Sequence, residues 1–181
     1  MEKHPNVEYI MLSERKIARR IKALGAQLDK LYDGRKPVVV CILKGSSVFF
    51  SDLIRNMKTT LTVDFMEVSS YGSGTKSSGE LKIKKDLSTD ITGRDVLIVE
   101  DIIDSGNTLY NLKKLLIGRT PASVNIVTLL DKPARREAPI EPEYTGFVIE
   151  DEFVIGYGLD YAEEYRNLPY VGVLKRSVYE N

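Results

Sequence analysis

Val96-Leu-Ile-Val-Glu-Asp-Ile-Ile-Asp-Ser-Gly-Asn-Thr-Leu109 decides how the rest of this 181-residue chain is read. Four apolar residues, Val96 to Val99, run into Glu100 and Asp101. A polar loop, Asp104 to Thr108, opens a helical stretch around Asn107 to Ile117, which Gly118 stops. Strand, loop and helix in that order suit an α/β sheet. Ligands of open α/β sheets sit at the carboxyl ends of the strands, where this loop falls. Ser105, Thr108 and successive backbone N–H groups form a nest for an anion, and Gly106 permits close approach. The helix N-terminus adds a field that favours phosphate. The nest is not a Walker loop: Gly72-Ser-Gly-Thr-Lys-Ser77 comes nearest and has the wrong spacing. Glu100 and Asp101 beside such a nest would repel an anion. They make sense if they accept hydrogen bonds from sugar hydroxyls or hold a Mg²⁺ that bridges to the ligand.

Working outward, Ser13 to Leu31 reads as an amphipathic helix, with Ile17, Ile21, Leu24, Leu28 and Leu31 on one stripe. Ser13 is its cap, and Leu12 with Ile17 its hydrophobic staple. Pro37 to Leu43 is a short apolar, β-branched run, the pattern of a strand buried on both faces. Ser46 to Met57 reads as a helix and Val63 to Val68 as a strand. Ser69 to Gly79, with three Gly and five Ser, has no apolar period and reads as a mobile binding loop. Leu81–Lys85, Val124–Leu130, Phe147–Ile149, Phe153–Tyr157 and Tyr170–Lys175 read as strands. The stretch from Asp131 to Tyr144, with Pro133, Pro139 and Pro142, reads as an irregular connection. The terminal pieces read as short strands without helices. The expected class is α/β with a central parallel sheet flanked by helices.

Composition narrows the chemistry. With 26 Lys+Arg against 26 Asp+Glu the net charge is zero, which does not favour a protein held by nucleic-acid phosphates. The single cysteine, Cys41, cannot form an intramolecular disulfide, which fits a reducing, cytoplasmic setting. The one histidine, His4, and Cys41 cannot build a zinc site from N and S ligands. Acid–base and metal chemistry therefore fall to carboxylates, Lys, Tyr or backbone. No apolar run reaches the ~18 residues of a membrane span, and the polar start is neither secretory signal nor transit peptide.

The 96–109 stretch resembles the phosphoribosyl-pyrophosphate (PRPP) motif of the hypoxanthine-guanine phosphoribosyltransferases, and the resemblance runs nearly the full length. Leu43-Lys-Gly-Ser46 resembles the family's pyrophosphate loop, and Ser70-Tyr71 with the Gly/Ser segment its flexible catalytic loop. Leu129-Leu-Asp-Lys132 resembles the segment carrying its base-recognition lysine. Phe153-Val-Ile-Gly-Tyr-Gly-Leu-Asp-Tyr161 with Arg166 resembles its purine-binding part. The resemblance implies a type I phosphoribosyltransferase fold in a single domain. Its core covers about residues 13–145, and a small hood about 1–12 plus 146–181. It implies transfer of phosphoribose from PRPP to hypoxanthine or guanine, giving IMP or GMP and pyrophosphate, with Mg²⁺ as cofactor and a homodimer or homotetramer as assembly.

The resemblance also distributes roles. Lys44, Gly45 and Arg166 address pyrophosphate; Glu100 and Asp101 address the ribose hydroxyls and a Mg²⁺. Asp104 is the proton-transfer residue near purine N7, and Ser105, Gly106, Asn107 and Thr108 cradle the 5′-phosphate. Phe153 stacks on the purine, the Val154 backbone faces its edge, and Asp160 holds a second Mg²⁺ at the purine side. Lys132 recognises the base: an ammonium has three donors and no acceptor, so it pairs with a 6-oxo group and repels the 6-amino group of adenine. Arg135 and Arg136 read as solvated surface. Xanthine as substrate and a non-catalytic, nucleotide-sensing regulator of the same fold are the alternatives. An RNA-binding variant would use Lys82, Lys84, Lys85 and Arg94 as its basic patch.

Overall fold

The computed structural model describes residues 2–70 and 81–180, and the loop residue Tyr71 falls outside them. A strand β1 (Val7–Leu12) leads into helix α1 (Glu14–Leu31), whose Ser13 cap accepts from Lys16 N at 3.4 Å. Leu12 and Ile17, the expected staple, are both buried. Then follow β2 (Val38–Leu43), α2 (Ser47–Arg55), β3 (Thr62–Ser70), β4 (Leu81–Lys85), β5 (Asp95–Ile103) and α3 (Asn107–Ile117). The chain continues through β6 (Ser123–Asp131), a 3-10 turn at Pro133–Arg135 and β7 (Tyr144–Val148). It closes with β8 (Val154–Ile155), β9 (Val171–Leu174) and a four-residue helix α4 (Arg176–Tyr179).

Six strands form one sheet in the order β4-β3-β2-β5-β6-β7, parallel throughout except at the β4 edge. The two-residue period of β2 sends Val39 and Cys41 to the face covered by α1 and α2. It sends Val38, Val40 and Ile42 to the face covered by α3. β2 and β5 are neighbours, with Cys41 opposite Val99. From β2 the chain turns outward to β3, and from β5 it turns the other way to β6. The topological switch point therefore lies between β2 and β5, and the loops after both strands open on one crevice.

Three readings are corrected. Ser69 and Ser70 extend β3 instead of starting a loop, because they pair with Lys82 and Leu81; edge pairing overrides the weak strand preference of Ser. The C-terminal piece includes a helix, α4. The 153–157 strand shrinks to Val154–Ile155, since Gly156 and Tyr157 adopt positive φ.

A second sheet, β1-β9-β8, is antiparallel and has its own small core of Val7, Ile155, Tyr170 and Leu174. Two contacts seat its flanking turn on the large sheet. Tyr157 Oη donates to Asp52 on α2, and a Cβ on Gly158 would overlap the Gly45 carbonyl. No described helix is long and apolar enough to cross a membrane.

Candidate active site

The switch-point crevice is a pocket of about 350 Å³ whose lining includes Lys44, Gly45, Glu100, Asp101, Asp104, Ser105, Gly106, Thr108, Asp160 and Arg166. Ten of the residues singled out in the sequence thus meet in one cavity.

Glu100 and Asp101 lie inside β5, not beyond its end, because the strand continues through Ile102 and Ile103 paired with Leu130 and Asp131. They are held on the pocket floor. Asp101 Oδ1 accepts the Ile102 N–H at 2.9 Å, and a Cβ on Gly45 would overlap Asp101 Oδ2, so only glycine lets the β2 loop come this close. Burial, reinforced by the Asp101 charge, pushes the Glu100 carboxyl well above its usual range. Burial also raises Asp101, with the side-chain hydrogen bond to Glu100 and then backbone hydrogen bonds offsetting part of the effect. Two crowded, desolvated carboxylates are poised for a cation.

The loop after β5, expected to be an anion nest, leads directly into α3. Gly106 caps α3 with φ +79, and its carbonyl accepts the Tyr110 N–H at 2.9 Å. Ser105 Oγ accepts the Asn107 N–H at 3.4 Å, while the Ser105 carbonyl accepts the N–H groups of Glu137 and Ala138. The proline-rich connection therefore braces the nest from outside. The Asn107 side chain turns away to Glu137 at 2.7 Å, and Asn107 is not among the residues that line the pocket.

Asp104 Oδ1 is buried, and no donor reaches it with hydrogen-bond geometry. Lys132 Nζ lies 3.4 Å from it, close enough to attract but not aligned to bond. Lys132 is only 4% exposed, and its second anionic neighbour is Asp151 at 3.7 Å. Phe153 is 39% exposed; one face stacks on Tyr179 of α4 at 4.9 Å, and Tyr161 meets it edge-on at 5.7 Å. Val154 beside it is buried.

At the pocket mouth the peptide bond before Lys44 is cis. Ser46 Oγ donates to the Ile42 carbonyl at 2.6 Å and fixes the turn behind Lys44. Lys44 Nζ is 3.0 Å from Glu163, and Arg166 Nη2 is 2.8 Å from Asp160. The two cations hold the Glu163 carboxyl below its usual range, with Lys44 the larger influence.

Arg136 corrects another reading. Its side chain is 14% exposed and pairs with Asp131, because the connection folds back over Gly106 and encloses it. Of the basic patch, Lys84 pairs with Glu67 at 2.9 Å, Lys85 Nζ donates to the Phe65 carbonyl, and Arg94 binds Thr62 Oγ1. These contacts use the charges within the fold. The sequence reading missed Glu163, Asp151 and Tyr179. Glu163 had a signal, lying between Asp160 and Arg166; Asp151 and Tyr179 reach the site only through folding.

Paired carboxylates on the floor, a helix N-terminus and a cationic mouth line the crevice, and the phosphoribosyl transferase domain family matches residues 10–162. Hypoxanthine-guanine phosphoribosyltransferase of Bacillus subtilis is 54% identical over 181 residues, covering 100% of both chains. The crystal structure of a hypoxanthine phosphoribosyltransferase from Staphylococcus aureus superposes with TM-score 0.96 at 54% identity, covering 98% of this chain and 97% of that one. The bifunctional protein TilS/HprT of Listeria innocua is 54% identical over 97% of this chain, which spans 27% of that relative's length. The chain belongs to the hypoxanthine-guanine phosphoribosyltransferase family.

Proposed function

We propose that the chain transfers the 5-phosphoribosyl group of PRPP to hypoxanthine or guanine, releasing pyrophosphate and leaving IMP or GMP, a step of purine salvage. The observation that carries this reading is that Lys132, only 4% exposed, holds its Nζ 3.4 Å from Asp104, itself a pocket-lining residue. The ammonium offers donors only, and the carboxylates of Asp104 and Asp151 lie near it without bonding it, so it favours a base that brings an acceptor. A 6-oxopurine does and adenine does not.

In this reading the 105–108 nest binds the 5′-phosphate, and Glu100 and Asp101 orient the ribose hydroxyls. Lys44, the Gly45 N–H and Arg166 receive the pyrophosphate. Phe153 holds the purine with the Val154 backbone at its edge. As the purine N9–C1′ bond forms and the C1′–oxygen bond to pyrophosphate breaks, the ring carries oxocarbenium-like charge, and Asp104 takes the proton from N7. Lys132 lies 3.4 Å from the carboxyl that takes it.

The donor set suits Mg²⁺. The carboxylates offer hard oxygens, and among the described residues no three His, Cys, Asp or Glu side chains form a closed cage. Mg²⁺ takes one or two carboxylates and fills its remaining positions with water and substrate oxygens. Glu100 with Asp101, and separately Asp160, would hold it, and it would neutralise the leaving pyrophosphate. The small sheet, with segments 1–12 and 146–181, acts as a hood over the core. A homodimer or homotetramer and a cytoplasmic location complete the reading; the lone Cys41 is consistent with a reducing compartment.

The test is incubation with PRPP, Mg²⁺ and each of hypoxanthine, guanine, xanthine and adenine, with nucleotide measured. Turnover of hypoxanthine and guanine is expected. No 6-oxopurine turnover sinks the reading, and efficient adenine use removes Lys132 from recognition.

A further inference from the structure

Glu163 plays no part in the chemistry above, yet its carboxylate sits where two of that chemistry's cations converge. Oε2 lies 3.0 Å from Lys44 Nζ and 3.4 Å from Arg166 Nη2. The Glu163 N–H donates to Asp160 Oδ2 at 3.0 Å, while Asp160 Oδ1 takes Arg166 at 2.8 Å. The turn that aims Glu163 inward is unusual. Ala162, Glu163 and Tyr165 have φ of +52, +67 and +74, a region that L-residues seldom adopt, and Tyr161 and Glu164 close it with two backbone hydrogen bonds. A backbone held this way presents one carboxylate to the opposite loop.

A carboxylate and a phosphate oxygen are interchangeable partners for Lys and Arg: both are acceptors only, and both are anionic. We propose that Glu163 is a latch that occupies Lys44 and Arg166 in the free protein in place of a pyrophosphate oxygen and is displaced when pyrophosphate or PRPP binds. The proposal rests on the assignment of Lys44 and Arg166 to pyrophosphate. The latch is built to yield. The Glu163 side chain is 66% exposed, so it swings into water without leaving a buried charge, and a multiply charged pyrophosphate outcompetes a single carboxylate. When pyrophosphate leaves, Glu163 returns to the same cations and favours release.

A latch that competes must weaken binding, whereas a residue that merely positions Lys44 and Arg166 must strengthen it. Glu163→Gln therefore separates the two. Exposed ion pairs of this kind set the scale at roughly two- to five-fold. The experiment is calorimetric titration of pyrophosphate and, separately, of IMP, with Mg²⁺ present throughout, on the unaltered protein, Glu163→Gln and Glu163→Asp. Pyrophosphate should bind roughly two- to five-fold tighter to Glu163→Gln, with an intermediate gain for Glu163→Asp. IMP affinity should not change, because its phosphate lies in the 105–108 nest. Unaltered or weaker pyrophosphate binding by Glu163→Gln overturns the latch, as does an equal gain for IMP. If the unaltered protein neither binds pyrophosphate nor forms nucleotide from PRPP, the functional reading falls and the latch with it.

Discussion

Lys132 Nζ stands 3.4 Å from Asp104 Oδ1, so the group proposed to select the base and the group proposed to take its proton share one electrostatic contact. The contact is half-sheltered: Lys132 is buried, and Asp104 opens to the pocket on its other side. On the proposed roles, base recognition and proton transfer are coupled, and altering either should be felt by the other.

Lys132→Met tests the first half. It keeps the volume of the side chain, removes the donor that meets a 6-oxo group, and leaves Asp104 without its nearby cation. kcat/KM for hypoxanthine should fall roughly 100- to 1000-fold, about 3–4 kcal/mol, while the KM for PRPP changes little. The ratio of hypoxanthine to adenine turnover should collapse. Steady-state kinetics with both bases measures it, and a preserved ratio removes Lys132 from recognition.

Asp104→Asn tests the second half. The amide keeps the shape and the loop but cannot accept the N7 proton. kcat should drop about 100-fold or more, with PRPP affinity close to unchanged. Equal turnover would show that N7 loses its proton elsewhere.

Most of this geometry was legible in the sequence because it is local. The 96–109 stretch holds a strand, a nest and a helix start within fourteen consecutive residues, and backbone rules suffice to read them. α1 followed from its apolar period and its Ser13 cap, and α3 from the step between Gly106 and Gly118. Long-range pairing was not legible. Ser69 and Ser70 are strand only because Lys82 and Leu81 lie opposite them. Arg136 looks like a surface cation until the connection wraps it against Asp131 and Gly106. Tyr179 joins Phe153 from 26 positions away through α4, which has too few residues to leave a helical period. Glu163 belongs to the same class: what matters is the cation it meets, 119 positions distant.

The carboxylate floor should trade stability for function. Burial and the Asp101 charge raise the folded-state pKa of Glu100 above its ordinary value of 4.5. An acid with a raised folded pKa binds its proton more tightly folded than unfolded. Stability from this group is therefore greatest below the unfolded pKa and declines as pH rises through the folded one. Glu100→Gln removes that decline. The variant's Tm should exceed that of the unaltered protein at neutral pH, and the gap should close as pH falls toward the ordinary carboxylate range. PRPP with Mg²⁺ should raise the Tm of the unaltered protein and do far less for the variant. Thermal melts across this pH range give the answer; a variant less stable at neutral pH would mean that Glu100 is not strained by its burial.

Three layers meet where Gly158, Gly45 and Asp101 stack, and this ties the small sheet to the chemistry. Gly158 has φ +101, and a Cβ there would overlap the Gly45 carbonyl; a Cβ on Gly45 would in turn overlap Asp101 Oδ2. Gly158→Ala must therefore twist an unfavourable backbone and push the Lys44–Gly45 loop toward the carboxylates. The strained φ costs about 1 kcal/mol and the overlap about 1–3 more, so a loss of roughly 2–4 kcal/mol in unfolding free energy is expected. The loop that moves carries Lys44 and Gly45, the proposed pyrophosphate contacts, and not residues 105–108, the proposed 5′-phosphate nest. The KM for PRPP should rise about tenfold or more, while IMP affinity changes by less. Denaturant unfolding and PRPP kinetics on the same preparation separate the two effects. A variant with unaltered stability and KM would show that this stack neither holds the hood down nor sets the pyrophosphate loop.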